Sequence, residues 1–192
     1  IDAAMVGRLG AEASASIGLV STSTWLFWGL CAAVTWGFSV QVAHRIGADD
    51  LAAARAVVRQ SLTATLAFSL TLAAIGVAIS GALPGWLGGD PAIRRDASLY
   101  FCIFSLFLPA LQMNFLAGGM LRCSGNMHVP SVMGVVMCVL DVVFNFFLIF
   151  PTRDWSVAGL HLTIPGAGLG VCGAALGTAA AEAVAAVVLL RY

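Results

Sequence analysis

Three acids stand in segments that are otherwise apolar enough to sit in a membrane: Asp2, Asp141 and Glu182. Asp141 lies within VMCVLDVVFNFFLIF, residues 136–150, and Asn145 follows one helical turn later. An ionisable side chain at membrane depth is expensive, so a chain that keeps one is a candidate for function there. It persists by being protonated, by binding a cation, or by facing a water-filled cavity. Each of these is also a step of ion-coupled transport. The plainer alternative for Asp141 is a neutral acid bonded to a neighbouring helix. No Arg or Lys accompanies the three acids at depth.

Depth follows from a helical rise of about 1.5 Å per residue. Counted from Phe150 as the outer end of its span, Asp141 lies about 13 Å down and Asn145 about 7 Å. Counted from Gly168, Thr178 lies about 15 Å down and Glu182 about 21 Å. Asp2 lies about 10 Å below the turn near Arg8 and Gly10. Asp2, Asp141, Asn145 and Thr178 are therefore expected in one layer of the outer half of the membrane. That set is rich in oxygen, carries one or two negative charges, and suits a proton or Na⁺. Asp141 and Asn145, four apart, project from one face. Glu182 is expected either at the inner end of the same cavity or bonded to nearby backbone. Asp2 is an ordinary end-of-helix acid if its segment lies outside the membrane.

The elements that must hold these residues follow from composition. Of the 192 residues 60% are hydrophobic and 9% charged, against roughly 25% charged in a soluble domain. Mean hydropathy is +0.99. Residues 13–43, 60–89 and 97–121 carry no charge, 129–152 only Asp141, and 162–190 only Glu182. A spanning helix needs about 20 apolar residues, so the reading is all-α: a polytopic membrane bundle of five full transmembrane helices. Residues 1–9 read as the last turns of another helix. The chain opens on Ile in mid-pattern without a basic leader, so a fragment with a truncated first helix is expected. Counting that stub as the first helix makes the full spans the second to the sixth.

The connections carry helix punctuation. Gly47 can end the second helix and Asp49 or Asp50 cap the third. Asp90 is placed at an N-cap with Pro91 at the first helical position. RCSGNMHVP reads as a short turn, and PTRDWSVAGLHLTIPGAG as a longer loop. In the sixth span Gly166 and Gly170 make one GxxxG pair and Gly173 and Gly177 another, the mark of a closely packed interior helix. Arg45, Arg55, Arg59, Arg122 and Arg191 fall at one end of the bundle, and Arg8, Arg94, Arg95 and Arg153 at the other. Five against four places the first end in the cytoplasm.

Other polar and aromatic residues are less specific. Net charge is zero, which gives no field for nucleic acid. The five Cys lack metal-site spacing and read as packing residues. His44, His128 and His161 sit at span ends. Trp25, Trp28 and Trp36 lie within the second span and are candidates to line a cavity for flat organic cations by cation–π contact. Lipid-facing or packing roles are the alternative for each. No HExxH occurs and the His residues lie away from the membrane centre, so a non-enzyme is expected.

Five motifs, in order, resemble those of the MATE (multidrug and toxic compound extrusion) family: IDAAMVGRLGAEASASIGL, VAHRIGADDLAAAR, GDPAIRRDASLYF, MLRCSGNMHVP and GLGVCGAALGT. The resemblance implies a twelve-helix antiporter of two six-helix bundles. Residues 1–192 would be the N-terminal bundle, with the C-terminal bundle missing. It implies export of small cationic amphipathic substrates in exchange for H⁺ or Na⁺, without another cofactor, in a plasma (inner) membrane. A flippase of the same superfamily for a lipid-linked substrate is the alternative. Some members place a coupling cation at a first-helix acid, which matches Asp2. The same site uses an Asn–Asp pair on the fifth helix and a Thr on the sixth, matched by Asp141, Asn145 and Thr178. The family usually reads NxxxD, whereas this chain reads DVVFN. The carboxylate therefore sits one turn, about 5 Å, deeper.

Overall fold

The computed structural model describes residues 2–157 and 160–192, with side chains described for residues 5–152 and 166–192. The helices are α1 (Asp2–Gly7), α2 (Ala11–Gly47), α3 (Leu51–Ile79), the single turn α4 (Leu83–Trp86), α5 (Pro91–Cys123), α6 (His128–Ile149) and α7 (Gly170–Arg191). Between the last two runs an antiparallel hairpin, β1 (Pro151–Val157) with β2 (Leu160–Ala167). Five helices, α2, α3, α5, α6 and α7, are long and apolar enough to cross a membrane.

The central helix is α5, packed along α2, α3 and α7; α6 packs along α7, and α1 touches α2, α6 and α7. One apolar core joins Val20, Phe27 and Cys31 of α2 to Leu72 of α3 and to Phe101, Leu108 and Leu111 of α5. A second, at the opposite flank, joins Val6 of α1 to Ile149, Phe150, Val171 and Ala174. Large apolar side chains cover the outside as well, among them Leu66, Leu70, Val135 and Val139, as expected when lipid is the solvent. Several hydroxyls inside the helices close on their own backbone. Ser16 donates to the Ala13 carbonyl at 2.8 Å and Thr65 to that of Ser61 at 2.6 Å, which removes orphan donors from hydrocarbon. Pro109 lies within α5 and leaves the Ser105 carbonyl without its intrahelical donor.

The helix punctuation works with three corrections. Asp50 caps α3, its Oδ1 accepting from the Ala53 amide at 3.0 Å, and Asp90 caps α5 by accepting from Ala92 at 2.9 Å. Gly47 does end α2, but the left-handed residue of the turn is Asp49 at φ 58°. First, the third span, which begins at Leu51 behind its cap, stops at Ile79 instead of running on to residue 89. Gly81, Pro84 and Gly85 break the continuation, and Pro84 opens the separate turn α4. Second, the loop after α6 is a hairpin. Alternation in its sequence, such as Leu160, Leu162 and Ile164 against His161 and Thr163, is the period of a strand. Third, α7 starts only at Gly170, so Gly166 belongs to β2 and its GxxxG with Gly170 is not a helical face.

Candidate functional site

Among the described residues, α6 buries only Pro130, Asn145 and Ile149. A helix so little covered has small reason to bury an amide unless a neighbour needs it. That neighbour is α7, whose glycines let the backbones meet. A Cβ at Gly173 would stand 2.5 Å from the Leu148 carbonyl oxygen, and one at Gly177 would collide with Asn145 Oδ1. Pressed into that notch, Asn145 has no exposed surface. Its Nδ2 donates to Asp141 Oδ1 at 3.1 Å. The amide is thus a fixed arm that holds the half-buried carboxyl of Asp141 one turn away.

Glu182 extends this seam toward the other end of the bundle. Asn114 of α5 donates its Nδ2 to Glu182 Oε2 at 2.5 Å and lies 3.4 Å from Met137 Sδ of α6. Three helices therefore meet at one amide. The partner of Glu182 is a side chain of α5 and not backbone. Asp141 stands one turn beyond Met137 on α6 and within electrostatic reach of Glu182. Two carboxyls that feel each other at low dielectric resist being ionised together.

Thr178 lies on α7. Its hydroxyl donates to the Ala174 carbonyl of its own helix at 3.1 Å. It lines a small cavity of 50 Å³ with Glu182, Tyr100 and Phe104. The side chain of Asp2 lies outside the described residues. Asp141 with Asn145, and Thr178 with Glu182, are brought together. Asn114 was not singled out from sequence. The signal was present: Gln112 and Asn114 are the amides in an uncharged run, residues 97–121, that otherwise reads as a plain span.

The aromatic candidates form a separate feature on α2. Trp25 meets Trp28 edge-on at 5.7 Å between ring centroids, and Trp28 meets Phe115 of α5 at 5.3 Å. Trp28 and Trp36 line a cavity of 230 Å³ between α2 and α5, together with Thr35, Ser39 and Arg122. Neither Asp141 nor Glu182 is on that wall. Trp25 and Trp36 are each 68% exposed, so they reach this cavity's rim or the surroundings of the bundle rather than the acid seam.

Close packing gives the site a mechanical test. Gly177→Ala puts a methyl against Asn145 Oδ1. Overpacking of this kind destabilises by about 1–3 kcal/mol. The expected result is a lowered unfolding midpoint in detergent, with Gly18→Ala, which meets nothing within 4 Å, as the unaffected control.

The MatE family model matches residues 1–147. An inward-facing structure of a multidrug resistance MATE family transporter of the MOP superfamily superposes with TM-score 0.85 at 24% identity, covering 99% of this chain and 40% of that one. An outward-facing structure of such a transporter gives TM-score 0.84 at 24% identity, over 99% of this chain and 39% of the other. A MOP superfamily transporter from Pyrococcus furiosus, whose binding pocket is described as reversed in polarity and suggestive of a different function, gives 0.84 at 24% identity with the same coverage, 99% and 39%. These likenesses establish the fold. The chain spans about 39% of the length of such structures.

Proposed function

The chain belongs to the MatE family, and from that premise we propose that it is the N-terminal bundle, residues 1–192, of a multi-pass plasma-membrane antiporter. It exports cationic, amphipathic compounds in exchange for H⁺ or Na⁺, and needs no other cofactor. A second bundle of the same protein completes the cavity. The observation that carries this reading is the seam of Asn145, Asp141, Asn114 and Glu182 where α5, α6 and α7 meet.

The steps follow from charge. Ionised Asp141, oriented by Asn145, holds the coupling ion. Glu182, tied to α5 by Asn114, sets how strongly that ion is held, because the two carboxyls repel when both are charged. Neutralising Asp141 removes the reason for α6 and α7 to keep their cation-binding arrangement. The bundle then favours a state with a different grip on substrate. Only a difference in affinity between the two states performs this coupling. Asp2 and Thr178 contribute oxygens from α1 and α7 in this scheme. Trp25, which is not on the wall of the α2–α5 cavity, offers an aromatic face to the organic cation.

The test uses the full-length protein in liposomes. Flux of a fluorescent organic cation, ethidium, is followed under an imposed H⁺ gradient and, separately, an imposed Na⁺ gradient. Flux driven by one of them is expected. Absence of flux under both overturns the drug-export reading.

A further inference from the structure

We infer that the cavity between α2 and α5 is a binding site for the phosphate headgroup of an anionic membrane lipid. Its volume is 230 Å³, and its wall joins Trp28, Trp36 and Phe115 to Thr35, Ser39 and Arg122. The lining is mixed: three aromatic rings stand among a guanidinium and two hydroxyl-bearing residues. An amphiphile with an acyl chain and a phosphate matches both kinds of group.

Arg122 is what makes the site anionic in preference. It ends α5 at the same end of the bundle as Arg45 of α2, Arg55 and Arg59 of α3, and Arg191 of α7. Its side chain folds back along α5, so that the guanidinium lies 3.5 Å from where a Cβ of Gly118 would stand. Side chains on a helix point toward its N-terminus, which here draws the charge inward beside the cavity. Among the described residues no hydrogen bond or ion pair satisfies it. Asp50, an acid at this end, is engaged as the cap of α3.

The hydroxyls are also short of partners. Ser39 Oγ has no contact with solvent and no hydrogen-bond partner among the described residues. Thr35 Oγ1 accepts from Gln112 Nε2 at 3.0 Å, which leaves its own proton to donate. The inner wall is fixed by Cys123, whose thiol donates to the Ser39 carbonyl at 3.2 Å. The Arg122 guanidinium, with the Thr35 and Ser39 hydroxyls beside this mostly apolar cavity, supplies the donors a phosphate needs. A basic pocket between helices, near one membrane surface, faces lipid headgroups.

The experiment places the full-length protein in bilayer discs of phosphatidylcholine with increasing brominated phosphatidylglycerol. Every Trp other than Trp28 and Trp36 is replaced by Phe, those of the second bundle included, which leaves these two as reporters at the cavity. Saturable quenching by brominated phosphatidylglycerol is expected at mole fractions where brominated phosphatidylcholine has little effect. Arg122→Gln should weaken the apparent affinity about tenfold, the effect of losing a hydrogen bond to a charged group. Gly119→Ala tests the cavity without touching charge. Its Cβ would stand 2.8 Å from Ser39 Oγ and 3.4 Å from Thr35 Cγ2, and the same weakening is expected. Equal quenching by both lipids, or none by either, overturns the proposal. So does an unchanged response in Arg122→Gln. Protection by inorganic phosphate without any effect of phosphatidylglycerol would make this a free-anion site and overturn the lipid assignment.

Discussion

With Asp141 replaced by Asn, efflux of an organic cation no longer responds to an imposed H⁺ or Na⁺ gradient. The substitution is nearly isosteric, and its amide oxygen still accepts from Asn145, which donates to Asp141 at 3.1 Å in the wild type. Packing against Gly177 is untouched, so the fold is expected to survive. What disappears is the group that changes charge. Coupling free energies of 1–3 kcal/mol correspond to factors up to about 150, so gradient-driven efflux should fall by about 100-fold. The paired exchange, Asp141→Asn with Asn145→Asp, separates charge from position. It moves the carboxyl one turn, about 5 Å, into the notch at Gly177. Coupling should return with an altered ion affinity. Efflux in Asp141→Asn that still follows the gradient would move the coupling group elsewhere, to Asp2, Glu182 or the second bundle.

The second large effect is on stability. Asn114→Leu leaves Glu182 without its donor on α5 and should lower unfolding stability in detergent by about 2 kcal/mol. Glu182→Gln keeps an acceptor for Asn114 and should change stability much less. The double substitution Asn114→Leu with Glu182→Leu should recover most of the loss, because neither partner is then left unpaired. The thermal midpoints of these variants form the check. A single Asn114→Leu substitution with no loss would mean that the α5–α7 contact does not depend on this bond.

The long helices were legible because lipid demands uninterrupted apolar runs, and charges mark their ends. Asp50 and Asp90 were legible as caps because an Asx residue before an apolar run has one common use. The end of α3 was not, since residues 80–89 are as uncharged as residues 60–79, and only Gly81, Pro84 and Gly85 tell them apart. The hairpin reads as a loop in the sequence because the apolar content of LHLTI masks its alternation. At the site, spacing alone paired Asp141 with Asn145, for both are on one helix. The bond between Asn114 and Glu182 joins residues 68 positions apart, and no local pattern announces such a partner. Likewise depth places Thr178 in the layer of Asp141 but says nothing of the cavity that it shares with Glu182. Depth gives the level of a residue, but only packing gives its azimuth.

The central claim is that Asp141 links ion and substrate. The most direct measurement is the affinity of the purified full-length protein for tetraphenylphosphonium across a series of pH values and Na⁺ concentrations. Linkage requires that a coupling ion which opposes substrate binding lower this affinity as its concentration rises. The prediction is a clear dependence on H⁺ or Na⁺ in the wild type and a flat response in Asp141→Asn. The same dependence in both proteins would contradict the account.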